Sequence, residues 1–197
     1  MKKILIIGGS KKSYMDLFLI VSDSKLAGMQ DIHLYTYAKH LEVAKHKNIT
    51  LHNFKSHTGS LGLYDVKIIY DLAADIDIIM IGSELGNDFD CKKAILAILN
   101  INKPLIIDGD ALMPEILKIY DRQKHKWILT PNHSQFKRLF HMEVAEILKI
   151  TQQYQLTIIL KEIEKYVDIN EMEVRVPIID INKAHEQLID IIANHIL

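Results

Sequence analysis

The sequence predicts a single α/β domain, residues 1–197, built on a mainly parallel sheet flanked by helices in three layers. Short apolar runs alternate with longer helix-like segments along most of the chain, as they do in parallel β-α-β units. The apolar runs are continuous rather than alternating, which is typical of strands buried on both faces of a sheet. After Leu160 two short apolar stretches follow each other without a helix between them, and they predict a small antiparallel edge.

The strands are assigned from β-branched apolar runs that end at glycine, proline or polar residues. The seven predicted strands of the parallel sheet are Ile4–Ile7, Ile32–Thr36, Ile49–Phe54, Ile76–Ile81, Leu105–Ile107, Trp127–Thr130 and Leu156–Leu160. The stretches Tyr166–Ile169 and Met172–Val176 are predicted to form the antiparallel hairpin.

Helices are assigned to the longer segments between these strands. They are predicted at Tyr14–Ala27, Tyr37–Lys47, Phe89–Leu99, Ser134–Phe140, Met142–Gln153 and Asn182–Leu197. A further helix is expected after Asp108-Gly109-Asp110, with Pro114 in its first turn. The segment Leu63–Ala74 fits a helix or a strand, and its apolar pattern does not decide between them.

Composition excludes several classes of protein. The 197 residues are 49% hydrophobic and 25% charged with a net charge of -1, so we expect neither disorder nor a partner that is nucleic acid or membrane. The one cysteine, Cys91, excludes an internal disulfide and a cysteine-based zinc site. The ten histidines show no helical pairing typical of zinc ligands, and His46, His52 and His57, like the others, are predicted to be surface residues. A cytoplasmic location is the expectation.

Glycines and small polar residues follow several of the predicted strands, where an open α/β sheet places its ligand-binding loops. These loops are Gly8-Gly9-Ser10, Gly82–Asp88, Asp108–Asp110, Thr130–Gln135 and the start of the last helix at Lys183–Glu186. Together they favour a ligand crevice, although β-α turns use such residues without any ligand. Neither a dinucleotide fingerprint nor a P-loop nor a nucleophile elbow occurs. Lys11 and Lys12 are interpreted as a solvated turn, with phosphate binding as the alternative.

Taken in order, five segments resemble the ribokinase-like ADP- or ATP-dependent NAD(P)H-hydrate dehydratases. They are Ile7–Ser10 with Tyr14, Gly82–Gly86, Leu105–Leu112, Ile128–Asn132 and Ile158–Lys161. In the family these are a Gly-Gly-Ser turn, Gly-Pro-Gly-Leu-Gly, Asp-Ala-Asp-Ala-Leu, Leu-Thr-Pro and Val-Leu-Lys-Gly. The resemblance implies a ribokinase-like fold, repair of hydrated nicotinamide cofactor by phosphorylation and elimination of phosphate, and use of ADP or ATP with Mg²⁺. It also suggests a homo-oligomer.

The resemblance assigns roles to individual residues. The residues implied to bind substrate are Gly9, Ser10, Tyr14, Gly82, Gly86, Asp108, Asp110, Asn132 and His133. Nucleotide binding is implied for Lys161, Lys183 and His185, and Glu186 is the candidate base. No metal ligand is assigned. If the family resemblance is left aside, Asp108, Asp110 and Asn132 are interpreted as helix caps. Glu186 is then interpreted as a surface residue of the last helix.

The sequence departs from the family pattern at the chemically important positions. Met15-Asp16 replaces Gly-Ala after the tyrosine, Gln135 replaces a carboxylate, and Glu162 replaces the glycine after Leu-Lys. Asn182–Glu186 stands in register with the family's Gly-Gly-Thr-Gly-Asp, whose glycines let backbone amides form an anion hole. Relatives continue with further helices, so we expect a core shortened at its catalytic end.

Three hypotheses follow. The first is a working dehydratase or small-molecule kinase with Glu186 as base. The second is a catalytically inactive relative that serves as a ligand-binding or oligomeric module, which Gln135, Glu162 and the absence of glycine at Lys183 and His185 favour. The third is an unrelated α/β protein whose loops match by chance.

Overall fold

The structure is a computed structural model that describes residues 3–13, 29, 31–37 and 49–161, together with the backbone of 165–167 and 174–175. Its strands are β1 (Lys3–Ile7), β2 (Asp31–Thr36), β3 (Ile49–Asn53), β4 (Ile78–Ile81), β5 (Leu105–Ile107), β6 (Trp127–Leu129), β7 (Thr157–Ile159), β8 (Lys165–Val167) and β9 (Val174–Arg175). Its helices are α1 (Leu63–Ala73), α2 (Phe89–Ile98), α3 (Ile116–Ile119), α4 (His133–Phe140) and α5 (Ile147–Tyr154).

The strands form one sheet in the order β3-β2-β1-β4-β5-β6-β7, and every pair in this series is parallel. Ile4 of β1 pairs with Ile32 of β2 on one side and with Ile78 of β4 on the other, so β1 lies between these two strands. The predicted parallel α/β sheet with helices is therefore confirmed. The backbone of β8 pairs antiparallel with β7, and β9 pairs antiparallel with β8; most of the predicted hairpin lies outside the described residues.

Both faces of the sheet are buried, as the continuous apolar runs predict. Leu5 and Ile7 of β1 belong to a large apolar cluster that also contains side chains of the helices α1 to α5. Ile4 and Ile6 alternate with them along the strand and are just as fully buried on the opposite face. Full burial of one such side chain stabilises the fold by about 1.5–3 kcal/mol, so the sheet is a rigid base for the loops at its ends.

The order in which strands are added to the sheet reverses between β1 and β4, and this reversal determines where a ligand crevice can form. From β1 the chain builds outward through β2 to β3, and it then returns to place β4 on the other side of β1. In an open α/β sheet, this point at the carboxyl ends of the strands is where a ligand crevice is expected.

Several local predictions are settled by the described elements. The ambiguous segment Leu63–Ala74 is the helix α1, because Asp65 lies in its first turn and accepts a hydrogen bond from the Gly62 amide at 2.9 Å. The helix predicted from Met142 begins later, at Ile147, after a short 3₁₀ turn at Val144–Glu146. The predicted helices Tyr14–Ala27, Tyr37–Lys47 and Asn182–Leu197 lie outside the described residues.

The prediction that the histidines are surface residues is wrong for His125. Its side chain is buried at the start of β6 and stacks on Trp127, with ring centroids 4.6 Å apart. Its Nδ1 accepts a hydrogen bond from the Asp121 amide at 3.0 Å. This bond and the stacking on Trp127 together offset the cost of burying the polar ring. His52 is half-buried and stacks on His33.

Candidate functional site

Three of the predicted loops are joined by backbone hydrogen bonds at the carboxyl edge of the sheet. The Gly9 amide donates to the carbonyl oxygen of Ser83 at 2.8 Å, and the Asp110 amide donates to that of Gly82 at 2.9 Å. Gly82 has φ +133, and a Cβ atom there would lie 1.8 Å from the carbonyl oxygen of Asp108. Only glycine allows the loops after β4 and β5 to approach so closely.

Asp108, at the end of β5, is a buried carboxylate with two side-chain partners. Its Oδ1 accepts from Lys161 Nζ at 2.5 Å, and its Oδ2 accepts from the Ser83 hydroxyl at 3.2 Å. It is the N-cap residue of the 3₁₀ turn Gly109–Ala111 but makes no side-chain capping bond. The interpretation of Asp108 as only a helix cap is therefore wrong, because Lys161 offers a charged partner that the cap position does not.

Asp110 turns in the other direction, toward the loop after β4. Its Oδ2 accepts from the Gly86 amide at 2.9 Å, so its side chain binds the neighbouring loop and does not cap the turn in which it lies. Glu84, between these contacts, has φ +56, and its carboxylate accepts a hydrogen bond from the Ser13 hydroxyl. A non-glycine residue in this region is uncommon, and the contact with the first loop helps to hold it there.

A cleft of about 620 Å³ opens at the switch point of the sheet. We call it the switch-point cleft, and it is lined by residues 10–12, 58–60 and 85–90. Its lining includes the apolar side chains of Leu85 and Phe89, and Lys93 Nζ lies 4.2 Å from the centroid of the exposed Phe89 ring. Lys11 and Lys12 are exposed on its rim, as the interpretation of a solvated turn predicts, and they face the ligand space.

A row of hydroxyl groups begins at Ser56, passes through Thr58 and Ser60 in the lining of this cleft, and ends at Asp88. The Oγ of Ser56 lies 2.7 Å from Thr58 Oγ1, which lies 2.8 Å from Ser60 Oγ, and Ser60 donates to Asp88 Oδ2 at 2.8 Å. Partial burial raises the pKa of the Asp88 carboxyl, but hydrogen bonds from the Cys91 amide, the Ser60 hydroxyl and the Asp90 amide, together with the charge of Lys12, outweigh it and hold that pKa below its ordinary value. Asp88 is thus an ionised cap of α2.

Asn132 and His133 are at the start of α4. The side chain of Asn132 accepts from the Gln135 amide at 2.8 Å, and the Gln135 side chain accepts from the Asn132 amide at 2.9 Å. This capping box confirms the interpretation of Asn132 as a helix cap. His133 is exposed. Lys161 is tied to the same loop, since its amide donates to the Pro131 carbonyl at 3.0 Å.

Of the predicted site residues, the described part of the chain brings the loops of Gly9, Gly82 and Asp108 together and places Ser10 and Gly86 in the cleft wall. Tyr14, Lys183, His185 and Glu186 lie outside the described residues. Sequence reasoning missed the partner of Lys161 and the hydroxyl row. The alternation Ser56-x-Thr58-x-Ser60 is the available signal for the row.

The residues in the described ranges do not fit a Mg²⁺ site. No three histidine, cysteine, aspartate or glutamate side chains among them are grouped to hold a metal ion. The amide oxygen of Gln135 is taken up by the capping box, so it does not replace the carboxylate that the family has at this position. No helix within these ranges is long and apolar enough to cross a bilayer.

Comparison with known proteins shows the family. Residues 4–179 match the family model described as NAD(P)H-hydrate dehydratase. The chain belongs to this family. Over 71 residues it is 37% identical to the bifunctional NAD(P)H-hydrate repair enzyme Nnr of Escherichia coli strain K12, which is 36% of this chain and 13% of that protein.

Solved structures share the fold. The ADP/ATP-dependent NAD(P)H-hydrate dehydratase of Bacillus subtilis, co-crystallised with ATP and Mg²⁺ and soaked with CoA, superposes with a TM-score of 0.66 at 20% identity, over 89% of this chain and 65% of that one. A ribokinase-like protein of Enterococcus faecalis gives 0.67 at 19% identity, over 83% and 58%. The chain thus spans about three fifths of these two structures and a small part of the curated relative.

Proposed function

We propose that the protein is a nucleotide-dependent NAD(P)H-hydrate dehydratase. The observation that carries this proposal is the junction of three loops with family motifs at the switch point of the sheet, beside a cleft of about 620 Å³. A pocket of this size accepts a small molecule or part of a dinucleotide. Membership of the family supplies the substrate class, and the relative solved with ATP and Mg²⁺ supplies the class of cosubstrate.

The reaction has two steps in this proposal. The hydroxyl group of the hydrate attacks the terminal phosphoryl group of ATP or ADP, and ADP or AMP leaves. Phosphate is then eliminated with a proton, which restores the carbon-carbon double bond of the nicotinamide ring. Glu186 is the proposed acceptor of the hydroxyl proton, and Lys161 is the proposed partner of the nucleotide phosphates, together with Lys183 and His185.

The test is recovery of NADH from hydrated NADH in the presence of ADP or ATP and Mg²⁺, followed by NADH absorbance. Glu186→Gln removes the proposed base and is expected to reduce turnover by about 10²–10⁴-fold. Glu115→Gln is the matched control, because Glu115 is an exposed glutamate and its loss is expected to leave the rate unchanged. Wild-type protein that binds neither nucleotide and recovers no NADH would refute the proposal.

A second candidate is a ligand-binding module without catalysis. The capping box of Gln135 favours it, because this side chain is committed to the backbone of Asn132. A thermal shift with ADP or ATP without recovery of NADH is the result expected for such a module. Assembly into a homo-oligomer and a cytoplasmic location stay predictions, and light scattering of the purified protein tests the first.

A further inference from the structure

Lys161 and Asp108 form an ion pair at the carboxyl edge of the sheet. The atoms Nζ and Oδ1 are 2.5 Å apart, with the Asp108 side chain 3% exposed and that of Lys161 26% exposed. Lys161 follows β7, while Asp108 follows β5, so the pair spans β6 and its loop. The cation is therefore the accessible member of the pair, and the anion lies behind it.

Both members of the pair are held in place by neighbouring groups. The Ser83 hydroxyl donates to the second oxygen of Asp108 at 3.2 Å. The Lys161 amide donates to the carbonyl oxygen of Pro131 at 3.0 Å. The side chain of Asp108 thus has a fixed direction, toward Lys161 on one oxygen and toward Ser83 on the other.

This arrangement sets the strength with which Lys161 can bind an anion. An incoming phosphate competes with Asp108 for the same ammonium group, and the two anions repel each other. Removal of the charge of Asp108 would leave Lys161 partly buried without a counter-ion, a state that an added anion relieves. The ammonium group of Lys161 therefore attracts phosphate, and the carboxylate of Asp108 lowers the affinity of that interaction.

We propose that Asp108 restrains Lys161, so that a phosphate group must displace or share this ion pair in order to bind, and the carboxylate lowers the affinity of Lys161 for phosphate. Ser83 is a positioning residue that keeps Asp108 turned toward Lys161. The inference rests on the proposed function in that the anion is the phosphate chain of the nucleotide. It adds that the two members of one ion pair act on phosphate binding with opposite sign.

A purely structural ion pair makes a different prediction. If the pair only joins β5 to β7, removal of either partner weakens the fold and lowers binding in both cases. If Asp108 restrains Lys161, Asp108→Asn raises the affinity for phosphate and Lys161→Met lowers it. The sign of the change in the first variant separates the two accounts.

The experiment measures binding of inorganic pyrophosphate, and of ADP with Mg²⁺, to the full chain by isothermal titration calorimetry. Asp108→Asn is expected to bind pyrophosphate about tenfold more tightly than wild type, and Lys161→Met about tenfold more weakly. Lys103→Met is the control, since Lys103 Nζ binds the carbonyl oxygens of Ala74 and Ile76 away from these loops. Its affinity is expected to equal that of wild type.

Ser83→Ala keeps both charges and removes only the bond that orients Asp108, so it serves if Asp108→Asn does not fold, as judged by circular dichroism. Its pyrophosphate affinity is expected to rise about threefold. Equal or weaker binding by Asp108→Asn, or by Ser83→Ala where the former is unfolded, overturns the inference, as does absence of binding in all variants. Recovery of NADH by wild type is a separate readout, so the proposed function and this inference can each fail alone.

Discussion

Replacing Gly82 with alanine places a methyl carbon 1.8 Å from the carbonyl oxygen of Asp108 and 2.9 Å from the Cβ atom of Ala111. Real Cβ contacts are not shorter than 3.0 Å, so the loops after β4 and β5 must separate by more than an ångström. The bond from the Asp110 amide to Gly82 then breaks, and so does that from the Asp108 amide to Ile81.

The expected cost is the sum of these losses. Each broken backbone bond costs about 1 kcal/mol or more when its groups stay buried, and the backbone at φ +133 adds about 1–3 kcal/mol for a residue with a Cβ atom. With the remaining steric strain, Gly82→Ala is expected to lower the free energy of unfolding by about 4 kcal/mol or more.

Gly86→Ala is the matched control in the same loop. Gly86 has φ +96, but the nearest atom to its added Cβ is 3.9 Å away. The control therefore carries the backbone cost of about 1–3 kcal/mol without the collision.

The assay is urea unfolding followed by the fluorescence of Trp127, the one tryptophan of the chain, which is 4% exposed in β6. Free energies are compared from midpoints and slopes. A Gly82→Ala variant no less stable than Gly86→Ala would show that the loops separate freely, and it would refute the argument that their close approach builds the site.

Three further predictions concern buried groups. The Asp65 carboxylate accepts from the Tyr35 hydroxyl at 2.9 Å and from two backbone amides, so Asp65→Asn is expected to cost about 3 kcal/mol in urea unfolding and Tyr35→Phe about 1 kcal/mol. Burial, followed by the charge of His33, lowers the pKa of His52 below 6.5. The unfolded chain therefore takes up the proton at a higher pH than the folded chain does, and the free energy of unfolding falls as the pH drops below about 6.5. His52→Gln is expected to flatten this pH profile. Burial raises the pKa of the Cys91 thiol to about 12, so a thiol reagent at neutral pH is expected to react with it only after unfolding; prompt reaction of the native protein would contradict its burial.

The sheet could be predicted because its information is local. Runs such as Ile78–Ile81 are apolar at every position, and a strand with two buried faces is the structure that uses such a run. Segment Leu63–Ala74 could not be assigned in this way. Its Asp65 is buried against Tyr35, a residue of another strand, and no pattern within the segment reveals that partner.

The site was only partly predictable for the same reason. Glycines and aspartates after strands show where backbones approach and where charges stand, and Gly82 and Asp108 do meet at one edge of the sheet. The sequence does not reveal which carboxylate pairs with which cation. Asp108 and Lys161 lie in different loops and are 53 residues apart. The bond from Ser83 to Asp108 could not be predicted either, because its two residues lie 25 positions apart and in different loops.

The way in which the loops are joined leaves most of their side chains free to vary. The loops are joined mainly through backbone atoms, from Gly9 to Ser83 and from Asp110 to Gly82, and such bonds do not depend on side chains. Glycine is required only where a Cβ atom would collide, as at Gly82. At the next two positions the chain carries Ser83 and Glu84, whose side chains contact Asp108 and Ser13. A junction made by backbone atoms therefore leaves the chemistry around it free to change, and in this protein the Ser83 side chain contacts the same carboxylate that binds Lys161.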